Sequence, residues 1–459
     1  MTAPLNIAIV GAGWAGLAAA VSAIERGHTA TVFEASSAIG GRARALKASL
    51  PDGTPVLLDN GQHILIGAYT QTLQLMRQMG VAPDQALLNL PMTLQFADGQ
   101  GIRFPDWPTP LDALGGILAA RGWCWRDKWA LLRAAVGWQL SGFACAHGLS
   151  VATLCQALPR RVNDELIEPL CVSALNTPAA QASASVFLRV LRDALLGVAG
   201  GSHLLLPRTD LGALLPDAAA AWITRHGGQI HLHQRIASLQ QHAQGWRLRA
   251  HLSAPEVMPG DPPAPMAPSA PAGVAALAMT FDAVLLATPA LNSALALTQS
   301  AQHVPDSIAS QLHQWAAQAG ALQHEAIATV YAWADQARLA QPMLALRSGP
   351  GEPAQFAFDR GQLHGPAGLL AFVVSAAQGD RRVLQAQVLA QAQRQFGLRL
   401  QPLQTIVERR ATFACTPGLL RPPTLIAPGL LACGDYVDGP YPATLEGAVL
   451  SAQAAVRAL

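Results

Sequence analysis

The chain has 459 residues, room for two or more domain-sized units around a large core. Charged residues make up 13%, against about 25% in an average soluble protein, and apolar residues make up 51%. A net charge of +2 excludes an electrostatic footprint for nucleic acid, whereas the sparse charge suits a protein that handles an apolar ligand or touches a membrane. Lys47 and Lys128 are the only lysines, so the basic residues are nearly all arginine, which we read as coding bias rather than as a phosphate-binding surface. The six cysteines form no C-x-x-C pair and no zinc-type spacing. Reduced thiols in a cytoplasmic protein, and no metal site, are expected.

The run "NIAIVGAGWAGLAAAVSAIERGHTATVFEA" reads as a strand (Asn6–Val10), a glycine turn, a helix (Trp14–Arg26) and a second strand (Ala30–Glu34). No Lys or Arg precedes Arg26, so the apolar stretch Leu5–Ile24 lacks the positive start of a secretion signal. Gly11, Gly13 and Gly16 complete a G-x-G-x-x-G at the strand-to-helix junction, where a helix N-terminus and bare backbone receive a pyrophosphate. Glu34 follows Gly16 by 18 residues, the place where a carboxylate accepts hydrogen bonds from ribose hydroxyls. In "ASSAIGGRAR", which follows, Gly40 and Gly41 allow backbone contact with phosphate, and Arg42 supplies charge, with Arg44 two residues on.

"DNGQHILIGAY" (59–69) then sets Asn60, Gln62 and His63 into a run that otherwise reads as buried strand and turn. Polar side chains are costly there without a partner, which is either the protein's own backbone or a bound molecule. Between Asp106 and Phe143 lie five of the ten tryptophans. Trp125, Trp129, Leu132, Val136 and Leu140 recur at helical spacing, with Arg121, Arg126, Lys128 and Arg133 among them. Two readings stand for 106–143: a helix packed on the core, or an interfacial helix with Trp at the lipid headgroups and cations beside lipid phosphates. No other apolar segment reaches the about 18 to 20 residues that span a bilayer, so no transmembrane helix is expected.

Further along, "GGQIHLHQRIASL" (Gly227–Leu239) and "FDAVLLATPA" (Phe281–Ala290) read as strands. Ala254–Gly273, dense in Pro and Ala, lies between candidate strands Trp246–His251 and Met279–Ala287 and reads as a flexible hairpin insertion. "LLACGDYVDGPYPATLEGAVLSAQAAV" reads as a strand (Leu430–Cys433) ending at Gly434 and Asp435, then a helix beginning near Thr444.

The E-x5-G-G-R-A-R run and this C-terminal stretch resemble the two fingerprints of the flavin amine oxidase and phytoene desaturase superfamily, which implies FAD. The resemblance implies an α/β fold: a Rossmann-like FAD-binding domain in pieces 1–90, 200–290 and 405–459, interleaved with an α+β substrate domain in 91–199 and 291–404. It further implies that the backbone around Ile236 meets the adenine and that Gly434 and Asp435 sit beside the phosphates. Leu445, Glu446, Gly447 and Ala448 would begin a helix whose positive N-terminus faces the flavin ring, with Gly61 and Gln62 also against the cofactor. No second G-x-G-x-x-G marks a nicotinamide domain.

"DNGQHILIGAY", "PLCVSALNTP" (Pro169–Pro178) and "GGSHLLLPRTDLGALLPDAA" (Gly200–Ala219) together resemble the squalene-associated FAD-dependent desaturases, the hydroxysqualene dehydroxylases of bacterial squalene and hopanoid synthesis. One departure is Ala452-Gln453, where many superfamily members carry Gly-Arg after Ser451. The implied reaction replaces an allylic hydroxyl with hydride from reduced flavin N5 while an acid protonates the leaving oxygen. His63 is the first candidate for that acid and Tyr69 the second; Asn176, His203, Arg208 and Asp210 are weaker ones. The implied partners are a long apolar isoprenoid, an electron donor, and the inner face of a membrane through 106–143.

Three other readings share these motifs. A carotenoid-type desaturase would remove hydride instead of adding it. An amine oxidase usually carries facing aromatics near the flavin and a lysine by N5; Tyr436 and Tyr441 are available, but both lysines lie far from the flavin motifs. A non-catalytic isoprenoid-carrying flavoprotein would bind lipid without redox change.

Overall fold

The computed structural model describes residues 3–251 and 274–459, and the Pro- and Ala-rich stretch 254–273 falls outside them. Its spine is a six-stranded sheet in the spatial order Gln229–His231, Thr29–Phe33, Asn6–Val10, Ala283–Leu286, Leu430–Ala432, Leu425–Ala427. The first five strands run parallel and the last is antiparallel. Parallel strands are covered on both faces, which is why these segments are short continuous apolar runs. Ala283–Leu286 and Leu430–Ala432 are buried at every position. Helix Trp14–Glu25 packs against helices Leu445–Arg457 and Pro216–Arg225 on one side of the sheet.

The stretch Gly227–Leu239 is two strands in two sheets, not one. Gln229–His231 extends the parallel sheet beside Thr29–Phe33. His233 then takes a left-handed φ of 58°, and Ile236–His242 starts an antiparallel meander with Gly245–His251 and Val274–Phe281. Those last two strands pair directly, His251 opposite Val274, on either side of the undescribed stretch.

A five-stranded antiparallel sheet stands apart, ordered Met343–Ala345, Phe356–Asp359, Leu369–Val374, His324–Trp333, Gln401–Phe413. Gln401–Phe413 runs across the expected domain start at 405 and pairs with His324–Trp333, so that strand is part of this sheet. Helix Arg381–Phe396 packs on it. A helical region, 111–196, is tied by Glu165 to the segment that follows strand Met343–Ala345. The Glu165 carboxylate accepts hydrogen bonds from Trp123 Nε1 at 2.9 Å and from Arg347 at 2.8 Å.

Helix Trp125–Leu140 buries only Asp127 and Leu131. Trp125, Trp129, Val136 and Leu140 of its stripe face solvent, whereas Leu132 is half-buried against the core beside Leu131, so the core-packed reading fails for four of the five stripe residues. Among the described residues no helix is long and apolar enough to cross a membrane.

Two glycines make a contrast. A Cβ on Gly16 would sit 1.8 Å from the Gly11 carbonyl oxygen, whereas one on Gly137, in the exposed helix, would meet nothing within 4 Å. Gly16→Ala should therefore lower unfolding free energy by more than about 2 kcal/mol. Gly137→Ala should raise it by roughly 0.5 to 1 kcal/mol. Urea denaturation of both variants measures the difference; equal effects would contradict the close helix–strand contact.

Candidate active site

A cavity of about 630 Å³ runs across the carboxyl ends of the parallel strands, where open α/β sheets bind their ligands. One end is built of backbone. Gly11 (φ 109°), Gly40 (φ 95°) and Gly41 (φ 62°) all adopt the left-handed backbone that side chains resist. A Cβ on Gly41 would come within 3.1 Å of Gly13 Cα, so the two loops touch without side chains between them. Helix Trp14–Glu25 starts at Gly13 with no side-chain cap, leaving its N-terminal amides free for an anion. Glu34 Oε2 and Oε1 accept from the Ala12 and Ser36 amides, at 2.8 and 2.9 Å, which fixes the carboxylate at the cavity edge. Arg44 Nε, in the same wall, is buried without a partner. This donor set fits a dinucleotide: Glu34 would hold a ribose, the glycine loops, helix N-terminus and Arg44 would hold the phosphates, and the segment at Ile236, also in the wall, would meet the adenine.

Arg42 is engaged differently from the sequence expectation. Its guanidinium donates to Asp435 at 2.6 Å and to the Ala411 carbonyl at 2.5 Å. The Asp435 carboxylate raises the Arg42 pKa, so the pair is a fixed, charge-compensated link between the N- and C-terminal motifs. Asn60 holds the same loop by donating to the Arg42 carbonyl at 3.1 Å. Gly434, Asp435, Leu445 and Ala448 line the cavity beside this pair.

Gly16, Glu446 and Gly447 lie outside the cavity wall. Gly16 serves the helix–strand contact described above. The Glu446 carboxylate is buried and accepts from the Gln71 and Thr72 amides at 3.0 and 2.8 Å, so it caps helix Thr70–Gln78 and not the cofactor. Gly447 donates its amide to Thr444 Oγ1 at 3.0 Å, and a Cβ on it would strike the Tyr441 carbonyl oxygen at 2.0 Å. Its place is set by loop packing.

The stretch 59–69 contributes Asn60, Gly61, Gln62, His63 and Tyr69 to the wall. His63 Nδ1 lies 2.7 Å from the Gly61 carbonyl oxygen. A carbonyl only accepts, so Nδ1 carries the hydrogen and Nε2 of the neutral ring is an acceptor. Burial pushes the His63 pKa below 6.5, and Arg42 adds to the shift. Tyr69 stands edge-on to Tyr441, 6.0 Å between ring centroids, and burial raises its phenol pKa so that it keeps its proton.

Of the weaker candidates, Asn176 alone is in the wall. It ends helix Glu168–Leu175 in a left-handed conformation and ties three segments, donating to Thr412 Oγ1 at 2.9 Å and accepting from the Ala376 amide at 2.8 Å. His203 bonds Asn89 Oδ1 at 2.8 Å, Asp210 caps the short helix Leu211–Leu214, and the Arg208 amide donates to the Ala86 carbonyl at 2.8 Å; all three sit elsewhere.

The sequence reading missed the apolar end. Phe356 and Phe358 alternate along one strand and Val373 lies opposite Phe356, so all three share the sheet face that lines the cavity, with Ile327 nearby. Only the strand pairing places them there; Thr288, at the carboxyl end of Ala283–Leu286, was within reach of sequence because that strand was recognised. Arg360 was also missed. It donates to Gln62 Oε1 at 3.4 Å and stands 3.9 Å from Asp59, both charges being buried. Among the described residues lining the cavity there is no lysine.

Burial pushes the Asp59 carboxyl up to about 6, although Arg360 and the Leu211 amide pull the other way. Its folded pKa thus exceeds its ordinary 3.8, and the folded state holds the proton more tightly than the unfolded chain. That contribution is complete below the ordinary value and is lost as pH rises through about 6, worth on the order of 3 kcal/mol. Asp59→Asn, uncharged throughout, should remove this dependence. The unfolding free energy of the variant minus that of the wild type should rise between about pH 4 and pH 7. A difference that stays level would mean that Asp59 ionises with an ordinary pKa.

Residues 14–459 match the family model described as flavin containing amine oxidoreductase. The hydroxysqualene dehydroxylase of Rhodopseudomonas palustris is 26% identical, aligned over 97% of this chain and 96% of its own. The chloroplastic/chromoplastic 15-cis-phytoene desaturase of Glycine max is 28% identical over 56% of this chain and 46% of its own. Among solved structures, an oxidoreductase from Methanosarcina mazei superposes with a TM-score of 0.68 at 16% identity, covering 98% of this chain and 99% of its own. Cyclohexylamine oxidase from Brevibacterium oxydans gives 0.64 at 16%, covering 99% and 98%. The cavity therefore lies in a known fold, and the chain belongs to the flavin-containing amine oxidoreductase family as an FAD-dependent oxidoreductase.

Proposed function

We propose that the protein reductively dehydroxylates hydroxysqualene to squalene, a step of bacterial squalene and hopanoid synthesis. The observation that carries this reading is the end-to-end likeness to a hydroxysqualene dehydroxylase, over 97% of this chain and 96% of the relative. The phytoene desaturase of Glycine max aligns over about half of each chain and supports desaturation of a polyene precursor as the second reading. The cavity agrees with an apolar substrate carrying one hydroxyl, since its wall has a polar stretch at 60–69 and an aromatic face at Phe356 and Phe358. We also read the protein as cytoplasmic and peripheral on the inner face of a membrane, where such a substrate dissolves.

FAD, when bound and reduced, supplies the hydride. The chain must do the rest. The carbon–oxygen bond breaks, the oxygen takes a proton and leaves as water, and hydride goes to the carbon. Hydroxide is a poor leaving group, so a side chain must donate that proton. In neutral His63 the Nδ1 hydrogen is committed to Gly61, and only the imidazolium carries a second one, on Nε2. We assign this imidazolium as the donor, with the Tyr69 phenol as the alternative. Phe356, Phe358 and Val373 keep water from a developing allylic cation.

Anaerobic mixing of dithionite-reduced enzyme with hydroxysqualene should return the flavin to its oxidised spectrum and yield squalene by mass spectrometry. Failure to form squalene, with flavin staying reduced, would reject dehydroxylation in favour of the desaturase. His63→Gln should slow that single turnover at least about a hundredfold with flavin retained. The wild-type rate should fall as pH rises, because the imidazolium with its lowered pKa becomes scarce. A flat profile and an unchanged rate in the variant would move the assignment to Tyr69.

A further inference from the structure

Eight of the eighteen large hydrophobic side chains exposed among the described residues fall between Trp107 and Leu140. Leu111, Leu114 and Leu118 recur three and four residues apart on the outer face of helix Leu111–Ala119. On helix Trp125–Leu140 the outer stripe holds Trp125 and Trp129, 74% and 70% exposed, and ends at Leu140, 85% exposed. Trp107 lies over the first helix at Gly115, where a Cβ would come within 2.6 Å of its ring. The two helices are fastened together: Lys128 Nζ donates to the Leu118 carbonyl at 2.7 Å and stands 5.5 Å from the Trp125 ring centre.

Charge is sorted along the two helices. Both acids of these helices, Asp112 and Asp127, are buried, and Asp127 is spent on the helix cap, accepting from the Cys124 amide at 3.0 Å. Arg121, Arg126 and Arg133 are exposed. None of these three arginines, nor Lys128, has an acidic partner among the described residues. A water-facing helix would not present this apolar area. A symmetric second copy would bring the same unpaired cations against each other. Indole rings and leucines flanked by unpaired cations match a surface that is apolar inside and anionic at its rim.

We propose that helices Leu111–Ala119 and Trp125–Leu140 form a docking face for an anionic phospholipid bilayer. The helix of 16 residues, about 24 Å long, lies in the membrane plane with its tryptophans at headgroup depth. This assignment rests on the peripheral location proposed above and is independent of the dehydroxylation chemistry.

The holoenzyme is sedimented with vesicles of phosphatidylcholine alone and of phosphatidylcholine mixed with phosphatidylglycerol. It should bind the mixed vesicles more strongly, and less so at high salt. Trp125→Ala with Trp129→Ala should lower partitioning at least about tenfold, with flavin content and single-turnover rate on detergent-dispersed substrate unchanged. Arg126→Gln with Arg133→Gln should abolish the preference for the anionic vesicles. Tryptophan variants that bind as well as wild type would overturn the proposal. So would a wild-type dimer in sedimentation velocity that ignores vesicles and becomes monomeric in those variants. Vesicle binding is read without any product, so its failure is separate from failure to form squalene.

Discussion

Three backbone segments meet with almost nothing between them at Gly11, Gly16 and Ala287. A Cβ on Gly11 would lie 2.8 Å from the Ala287 carbonyl oxygen, and one on Gly16 would overlap the Gly11 carbonyl. That contact seats helix Trp14–Glu25 against Asn6–Val10 and Ala283–Leu286, and its amino end points at the cavity because of it. The uncapped amides, the Glu34 carboxylate and the strand ends all take their positions from this packing. The requirement is for missing side chains, which makes it exacting: any substituent at Gly16 separates the helix from the sheet.

The polar groups around the cavity divide into those that hold loops and those free to do chemistry. Asp435 with Arg42, Asn60 with the Arg42 carbonyl, and Asn176 with Thr412 and Ala376 are committed to structure. Buried polar groups are tolerated on condition that they are paired, so a site with few charges spends most of them on its own architecture. Asp59 and Arg360 are an incomplete version of the same device. Their 3.9 Å separation and the unpartnered Asp59 Oδ2 explain why burial outweighs the neighbouring cation. Against this background His63 stands out because one of its two ring nitrogens is not needed by the backbone.

The parallel sheet was legible because its signals are local. A buried apolar run, a glycine turn and an apolar helix follow one another within 30 residues, and Asn6–Val10 falls where the sequence puts it. The C-terminal strand and the Thr444 cap were legible for the same reason. The break inside Gly227–Leu239 was not, since a left-handed His233 carries no residue signature of the kind glycine gives. Glu446 was misread because a carboxylate beside a helix start serves any amide within reach, and here the amides of another helix were nearer. Helical spacing at Trp125–Leu140 marked one apolar face correctly but could not tell core from solvent, because periodicity states which residues share a side and not what lies opposite.

The two ends of the cavity therefore carry different kinds of information. The glycine-lined end is made of glycines and strand termini whose positions follow from a motif, and one such motif serves enzymes of many different activities on the same fold. The apolar end comes from Phe356, Phe358 and Val373, brought together by antiparallel pairing between segments with no motif of their own. Discrimination among long hydrocarbons rests on the volume and shape of such a wall, where one methylene is worth about 1 to 3 kcal/mol. Desaturases and dehydroxylases can thus share both fingerprints and still act on different chains. Under the proposed dehydroxylation, the choice of substrate would lie in the sheet behind the flavin motifs, and the direction of hydride transfer in whether a proton donor stands at the polar stretch 59–69.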